Sequence, residues 1–125
     1  NHEYYSGVDA WVEEMARLDM VPVLNTLRVV ERAGAQLVIG GVTDPSGGRF
    51  EASHASDAQA ALAGAPDVPR LMLAHQPRII DEVAGSGCEL VWSKPGSSPS
   101  SIFSRKKSSS IRLGPSTNDT PDSST

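Results

Sequence analysis

The stretch Leu71-Met72-Leu73-Ala74-His75-Gln76-Pro77 decides the fold that this sequence predicts. Three large apolar residues in four positions, preceded by Pro69, indicate a short buried strand. Pro77 suits the first turn of a helix, because its missing N–H would have no partner there. His75 then lies in a strand-to-helix loop, where open α/β sheets bind their ligands. A histidine in such a loop is either a ligand-binding residue or an ordinary loop residue, and this stretch alone leaves both interpretations open.

Apolar spacing and turn residues predict further elements on both sides of this strand. The predicted helices are Val8–Leu18, Ser56–Ala63 and Arg78–Ala84, each with a polar capping residue or a proline near its start. The predicted strands are Val23-Leu24, a hairpin within Leu27–Val42 that turns around Gly34, and Cys88–Trp92. Helix and strand alternate along the second half of this segment, which predicts an α/β or layered α+β fold.

Length and charge limit the kinds of protein that this chain can be. A chain of 125 residues has room for at most one domain of ordinary size. Residues 1–93 contain six arginines, no lysine and thirteen acidic residues, a net charge of −7, whereas residues 94–125 have a net charge of +3. An acidic body argues against nucleic acid as a partner.

Cysteine content and hydropathy add little about the compartment. Cys88 is the only cysteine, so an internal disulfide is excluded, and its apolar neighbours predict a packed strand residue rather than a nucleophile. The sequence has neither the ~20 consecutive apolar residues of a membrane span nor a signal peptide. Because the chain begins inside a motif at Asn1, we interpret it as a fragment, and its location stays unknown.

The opening residues Asn1-His2-Glu3-Tyr4-Tyr5-Ser6-Gly7, taken together with Ala74-His75-Gln76-Pro77, resemble two motifs of the calcineurin-like metallophosphoesterase superfamily. The resemblance is to its bacterial, often membrane-associated branch, and it covers residues 1–93. It implies that residues 1–93 are the C-terminal part of an incomplete αββα sandwich domain. It also implies hydrolysis of a phosphate ester, in a phosphorylated small molecule or lipid, with two divalent metal ions of the Mn, Fe or Zn type.

The resemblance also implies a role for each matching residue. Asn1 would bind one metal through its amide oxygen, and His75 would bind the same metal. His2 would be catalytic, protonating the leaving oxygen or stabilising charge on the phosphorus, without binding metal. Glu3 would orient the loop that carries His2. The substrate-binding residues and the oligomeric state stay unknown.

Several motifs of this superfamily are missing from the sequence. There is no Asp-x-His or Gly-Asp-x-x-Asp, and Lys94-Pro95 stand where Gly-His-Thr-His would begin after Ser93. Two ligands are too few to fix a two-metal centre, so we expect this chain alone to be inactive. The alternative hypothesis is a non-catalytic remnant or interaction module that retains part of the fold.

Two further segments have competing interpretations. Residues 94–125 contain eleven serines and few apolar residues, which predicts a disordered tail, and we hypothesise that this tail is an out-of-frame extension. In the loop Thr43–Arg49, Asp44 is either a site carboxylate or, more simply, part of an Asp-Pro turn. Arg49 and His54 are candidates to contact substrate phosphate, although His54 is more simply an exposed loop residue.

Overall fold

The computed structural model describes residues 1–93 and 103–104, which form a mixed sheet with short helices. The strands, which lie side by side in chain order, are β1 (Thr26–Arg32), β2 (Ala35–Gly41), β3 (Arg70–Ala74), β4 (Leu90–Ser93) and β5 (Phe103–Ser104). The helices are α1 (Val8–Arg17), α2 (Ala58–Ala61) and α3 (Ile80–Ala84). The prediction of a mixed α/β fold is therefore confirmed in this general form.

Strands β1 and β2 form the predicted hairpin. They pair antiparallel from Thr26 opposite Gly41 to Arg32 opposite Ala35, so a two-residue turn connects them. Both turn residues have positive φ, 51° at Ala33 and 78° at Gly34, as the tight hairpin turn that matches strand twist requires. The hairpin around Gly34 is confirmed.

The predicted strand Val23-Leu24 is wrong, because these residues lie in the irregular connection between α1 and β1. Val23 packs directly over Gly41, leaving no space for a side chain at that position. The Gly40-Gly41 pair is therefore a place of close packing, since a Cβ atom on Gly40 would lie only 2.8 Å from Leu62 Cδ2. A two-residue apolar segment needs a neighbouring strand to become a strand itself, and here it covers the end of β2 instead.

The remaining strand pairs place the carboxyl ends of three strands at the same edge of the sheet. Strand β2 pairs parallel with β3, and β3 pairs parallel with β4, with α2 and α3 in the two connections. The carboxyl ends of β2, β3 and β4 therefore meet at one edge, followed in sequence by the loops that carry Asp44 and His75. Parallel α/β sheets bind ligands at this edge.

The buried core lies on one face of the sheet, beneath α2 and α3. It consists of Val38, Val42, Ala58, Ala61, Leu62, Met72, Ala74, Ile79, Val83, Cys88 and Val91. On the opposite face, Leu71 and Leu73 are half-buried, and Trp92 is 60% exposed. One face of the sheet is thus well packed, and the other is apolar and largely uncovered by the described residues.

The ends of several elements differ from the prediction. Helix α1 ends at Arg17, and Ser6 does not cap it: the Ser6 hydroxyl instead accepts a hydrogen bond of 3.0 Å from the Trp11 indole. Helix α2 is shorter than predicted and spans only Ala58–Ala61. It begins later because Asp57, not Ser56, caps it: the Asp57 side chain accepts a hydrogen bond from the Ala60 N–H. Helix α3 follows a 3₁₀ turn at Pro77–Ile79.

The last predicted strand, Cys88–Trp92, is displaced by one or two residues, since β4 is Leu90–Ser93. Cys88 is buried just before β4, and its thiol is 3.9 Å from the Val83 carbonyl oxygen. Burial raises the pKa of this thiol, so it stays protonated at neutral pH. The prediction of a packed residue holds, although Cys88 is not part of the strand.

The predicted disorder of residues 94–125 lies outside the described residues, apart from β5, whose two residues pair antiparallel with β4. Among the helices of the described part of the chain, none has both the length and the apolar character that crossing a membrane requires.

Candidate functional site

The four predicted site residues line one cavity at the carboxyl edge of the parallel strands. Asn1, His2, Glu3 and His75 surround a volume of about 570 Å³, to which Met15 of α1 also contributes. In the sequence 73 positions separate His2 from His75. The fold therefore brings two distant loops together, while the role of each residue stays a prediction.

Aromatic packing holds the first of these loops in place. Residues His2–Tyr5 form a 3₁₀ turn, in which the Tyr4 ring stacks on Phe50 with ring centroids 5.5 Å apart. Tyr4 also lies edge-on to His54 at 5.7 Å, and Tyr5 lies edge-on to Phe50 at 5.2 Å. Aromatic pairs at these separations are favourable beyond the area that they bury. The loop Gly47–His54 thus supports the segment that begins with Asn1-His2, through its contacts with Tyr4 and Tyr5.

This arrangement corrects the interpretation of His54. It is a half-buried residue that ends the 3₁₀ turn Ala52–His54, not an exposed loop residue. Its Nδ1 atom is buried, with no hydrogen-bond partner among the described residues. Arg49 is exposed, and neither side chain lines the cavity around His75. His54 therefore supports the loop through Tyr4, and the suggested phosphate contacts of Arg49 and His54 stay untested.

Glu3 contacts the residue predicted to bind metal. Its carboxylate accepts a hydrogen bond of 3.1 Å from the Asn1 amino group. A hydrogen bond from its own backbone N–H and the bond from the Asn1 amine hold the pKa of Glu3 below its usual value. The carboxylate is therefore ionised at neutral pH and lies beside Asn1, where it can restrain the turn that carries His2.

Asp44 follows β2 and is 6% exposed, and sequence reasoning treated it mainly as a turn residue. One carboxylate oxygen accepts hydrogen bonds from the Ser46 N–H, at 2.9 Å, and from the Ser46 hydroxyl. The other oxygen accepts a bond of 2.8 Å from the Gln76 amide. Asp44 is thus both the turn residue that the sequence predicted and a direct link to the residue after His75.

Burial alone would raise the pKa of Asp44, but the hydrogen bonds from Ser46 and Gln76 outweigh it and hold the pKa below its usual value. The pKa of Tyr4 is raised, mainly by burial and to a smaller extent by the negative charges of Asp44 and Glu3. Asp44, Asn1, Glu3, Tyr4 and His75 all border a second cavity of about 200 Å³, which adjoins the apolar side of α1.

The lowered pKa of Asp44 predicts acid sensitivity. A carboxyl whose pKa is lower in the folded state adds stability above its unfolded pKa, near 3.8, and loses it as pH falls through the lower folded value. We expect the stability of the wild-type chain to fall below about pH 4, and the Asp44→Asn variant to lose less over this range. Urea unfolding at pH 6 and pH 3 measures the difference. Asp81→Asn, at an exposed position, is the control, and an equal acid loss in wild type and Asp44→Asn would contradict the prediction.

The donors present fit part of one metal site. The Asn1 amide oxygen and the His75 imidazole suit a divalent transition metal, which takes four or more ligands in proteins. Within residues 1–93, no group of three or more His, Cys, Asp or Glu side chains is placed to hold a metal ion. Asn1 and His75 are thus two candidate donors to one metal, as the resemblance implies.

Comparisons with family models, with curated proteins and with solved structures give no match to this chain. The resemblance to calcineurin-like metallophosphoesterases therefore rests on the motifs at Asn1-His2-Glu3 and Ala74-His75-Gln76-Pro77 and on the residues next to these motifs in the sequence.

The sequence indicated no supporting role for Tyr4, Phe50 or Gln76, and it left Asp44 open between a site carboxylate and a turn residue. The sequence did contain a signal for the contacts of Asp44, because a carboxylate close to the end of a buried strand needs hydrogen-bond donors. The contacts of Phe50 had no such signal, since a single aromatic residue in a loop does not identify its partner.

Proposed function

We propose that this chain is part of a metal-dependent phosphoesterase and supplies one side of its site. The observation that carries the proposal is the cavity shared by Asn1, His2, Glu3 and His75, the residues that match the motifs of this enzyme class. Convergence of these loops is not required by either motif alone. The proposed substrate is a phosphorylated small molecule or lipid, and nucleic acid is not expected because the body is acidic.

Each residue has a separate task in this proposal. Asn1 and His75 hold one divalent ion of the Mn, Fe or Zn type by an amide oxygen and an imidazole nitrogen. When bound, a pair of such ions neutralises phosphate charge and lowers the pKa of water. His2 would protonate the ester oxygen that leaves or stabilise charge on the phosphorus. Glu3, which lies beside His2 in the 3₁₀ turn His2–Tyr5, restrains the turn that carries His2.

The uncovered apolar face of the sheet supports the proposed sandwich architecture. Leu71, Leu73 and Trp92 share this face, and it has no charged residue on β3 or β4. Two sheets that pack face to face bury such surfaces between them. We therefore propose that residues 1–93 are one part of an αββα domain, whose second sheet and missing metal ligands come from other residues of the parent protein.

Metal binding at His75 tests the proposal in this chain. We expect added Mn²⁺ to broaden the imidazole signals of His75 most strongly in NMR spectra of the histidine-labelled chain, because His75 is the proposed ligand. The His75→Ala variant should lose the Mn²⁺ affinity by at least about tenfold, since one of two donors is removed. The Asp81→Asn variant is the control, because Asp81 is an exposed carboxylate on α3 outside the cavity, and it should bind Mn²⁺ as the wild type does.

Two results would contradict this proposal. One is equal broadening of all three histidines, which indicates nonspecific binding, and the other is unchanged affinity in His75→Ala. Either result would favour the non-catalytic alternative. The upstream reading frame is an independent check, because a phosphoesterase parent requires Asp-x-His and Gly-Asp-x-x-Asp before Asn1.

A further inference from the structure

We propose that Asp44 is a positioning residue that fixes the direction of His75 by holding the neighbouring side chain of Gln76. The inference deepens the proposed function and rests on it for the metal-binding role of His75. The link between Asp44 and Gln76 itself depends only on the geometry of the described residues.

The contact joins two loops at the carboxyl edge of the sheet. Asp44 lies three residues after the end of β2, and Gln76 lies two residues after the end of β3. The Gln76 amide donates to Asp44 across 2.8 Å, although 32 positions separate the two residues. Because β2 and β3 are parallel neighbours, this bond joins their two following loops, one of which carries His75.

The strength of this link comes from the environment of Asp44. The carboxylate is 6% exposed, so it cannot exchange its donors freely for water. Its other oxygen is held by the N–H and hydroxyl of Ser46, which fixes the direction of the oxygen that Gln76 contacts. A hydrogen bond to a buried, ionised acceptor is stronger than one between neutral groups.

The link acts on His75 through the backbone. Gln76 lies between His75 and Pro77, and the proline ring fixes its own φ and restricts the residue before it. With the Gln76 side chain held by Asp44, the backbone of this residue has little freedom on either side. His75 lines the cavity and is exposed, and its side chain forms no hydrogen bond with the other described residues. The held neighbour therefore restrains the backbone from which the His75 side chain projects.

Four variants of the full chain separate this role from simpler ones. Asp44→Ala removes the acceptor, and Gln76→Met removes the donor while keeping the length of the side chain. Asp44→Asn removes the charge but keeps both contacts, because the Gln76 amide can turn and accept from the new amide group. Asp81→Asn is the control for loss of an exposed carboxylate on α3. Urea unfolding of each variant gives the folded fraction to which the other readouts refer.

Two readouts are expected to change together. The first is the backbone φ angle of His75 and Gln76 from three-bond HN–Hα couplings without metal, which should move towards averaged values in Asp44→Ala and Gln76→Met only. The second is the Mn²⁺ affinity from the broadening of His75, which should fall by about 10- to 100-fold in the same two variants. The double variant should bind no more weakly than Asp44→Ala, because both changes remove one interaction. Asp44→Asn and Asp81→Asn should stay within about threefold of the wild type.

The outcomes distinguish this inference from the proposed function. Unchanged couplings of His75 and Gln76 in Gln76→Met would overturn the inference, and so would additive losses in the double variant. An effect of Asp44→Asn as large as that of Asp44→Ala would assign the role to charge alone and also overturn it. A wild-type chain that shows no Mn²⁺ effect on His75 would overturn the proposed function, while the metal-free couplings still decide the role of Asp44.

Discussion

Replacing Met72 with alanine is expected to lower the free energy of unfolding by about 2–5 kcal/mol. Met72 is 0% exposed and lies in β3, the central strand, opposite Gly40 of β2 and Val91 of β4. A Cβ atom on Gly40 would lie 3.4 Å from the Met72 Sδ and Cε atoms, so this side chain fills the space that the glycine leaves. Its removal would open a cavity beneath α2, with no neighbouring side chain free to fill it.

Urea unfolding of Met72→Ala and of Trp92→Ala provides the matched comparison. Trp92 is larger but 60% exposed, so its truncation removes little buried surface and should cost less than half as much. Equal losses in the two variants would mean that the apolar face around Trp92 is as well packed as the core, contrary to this structure.

Replacing Asn25 with alanine is expected to cost about 2–4 kcal/mol, from lost hydrogen bonds and backbone strain together. Its side-chain oxygen accepts from the N–H groups of Thr43 and Asp57, both at 3.2 Å, and from the Thr43 hydroxyl at 3.3 Å. Its amide donates to the Ala55 carbonyl at 2.7 Å. Asn25 also has a φ of 51°, a conformation that asparagine tolerates better than alanine. One side chain therefore ties the start of β1 to the loops that follow β2 and precede α2.

The Asn25→Gly variant separates the two contributions, because glycine adopts positive φ without strain but makes no side-chain hydrogen bonds. We expect Asn25→Gly to lose stability as well, but about 1 kcal/mol less than Asn25→Ala. Thermal and urea unfolding measure both variants. A loss below about 0.5 kcal/mol in Asn25→Gly would show that water replaces these hydrogen bonds at little cost.

The local elements of this fold could be predicted because their signals lie within a few residues. The apolar run Leu71–Ala74 gave β3, and the turn at Gly34 between two β-branched segments gave the hairpin. Element ends were less accurate: Asp57 rather than Ser56 caps α2, since both residues are capable caps and only the packed structure selects one. Ser56 instead bonds to Glu82 of α3, a partner 26 residues away.

The sequence by itself determined the strand Leu71–Ala74, the hairpin, the acidic charge of residues 1–93 and the residue types proposed for the site, Asn1, His2, Glu3 and His75. The strand, the hairpin and the charge follow from local periodicity, turn chemistry and composition, whereas the four site residues follow from the resemblance of two motifs to metallophosphoesterases. Only the tertiary structure decided that these four side chains share a cavity, that Tyr4 rests on Phe50, and that Asp44 holds Gln76. The reason is physical: the parallel pairing of β2, β3 and β4 brings three loops to one edge, and pairing between distant strands depends on packing that no single stretch of the chain encodes.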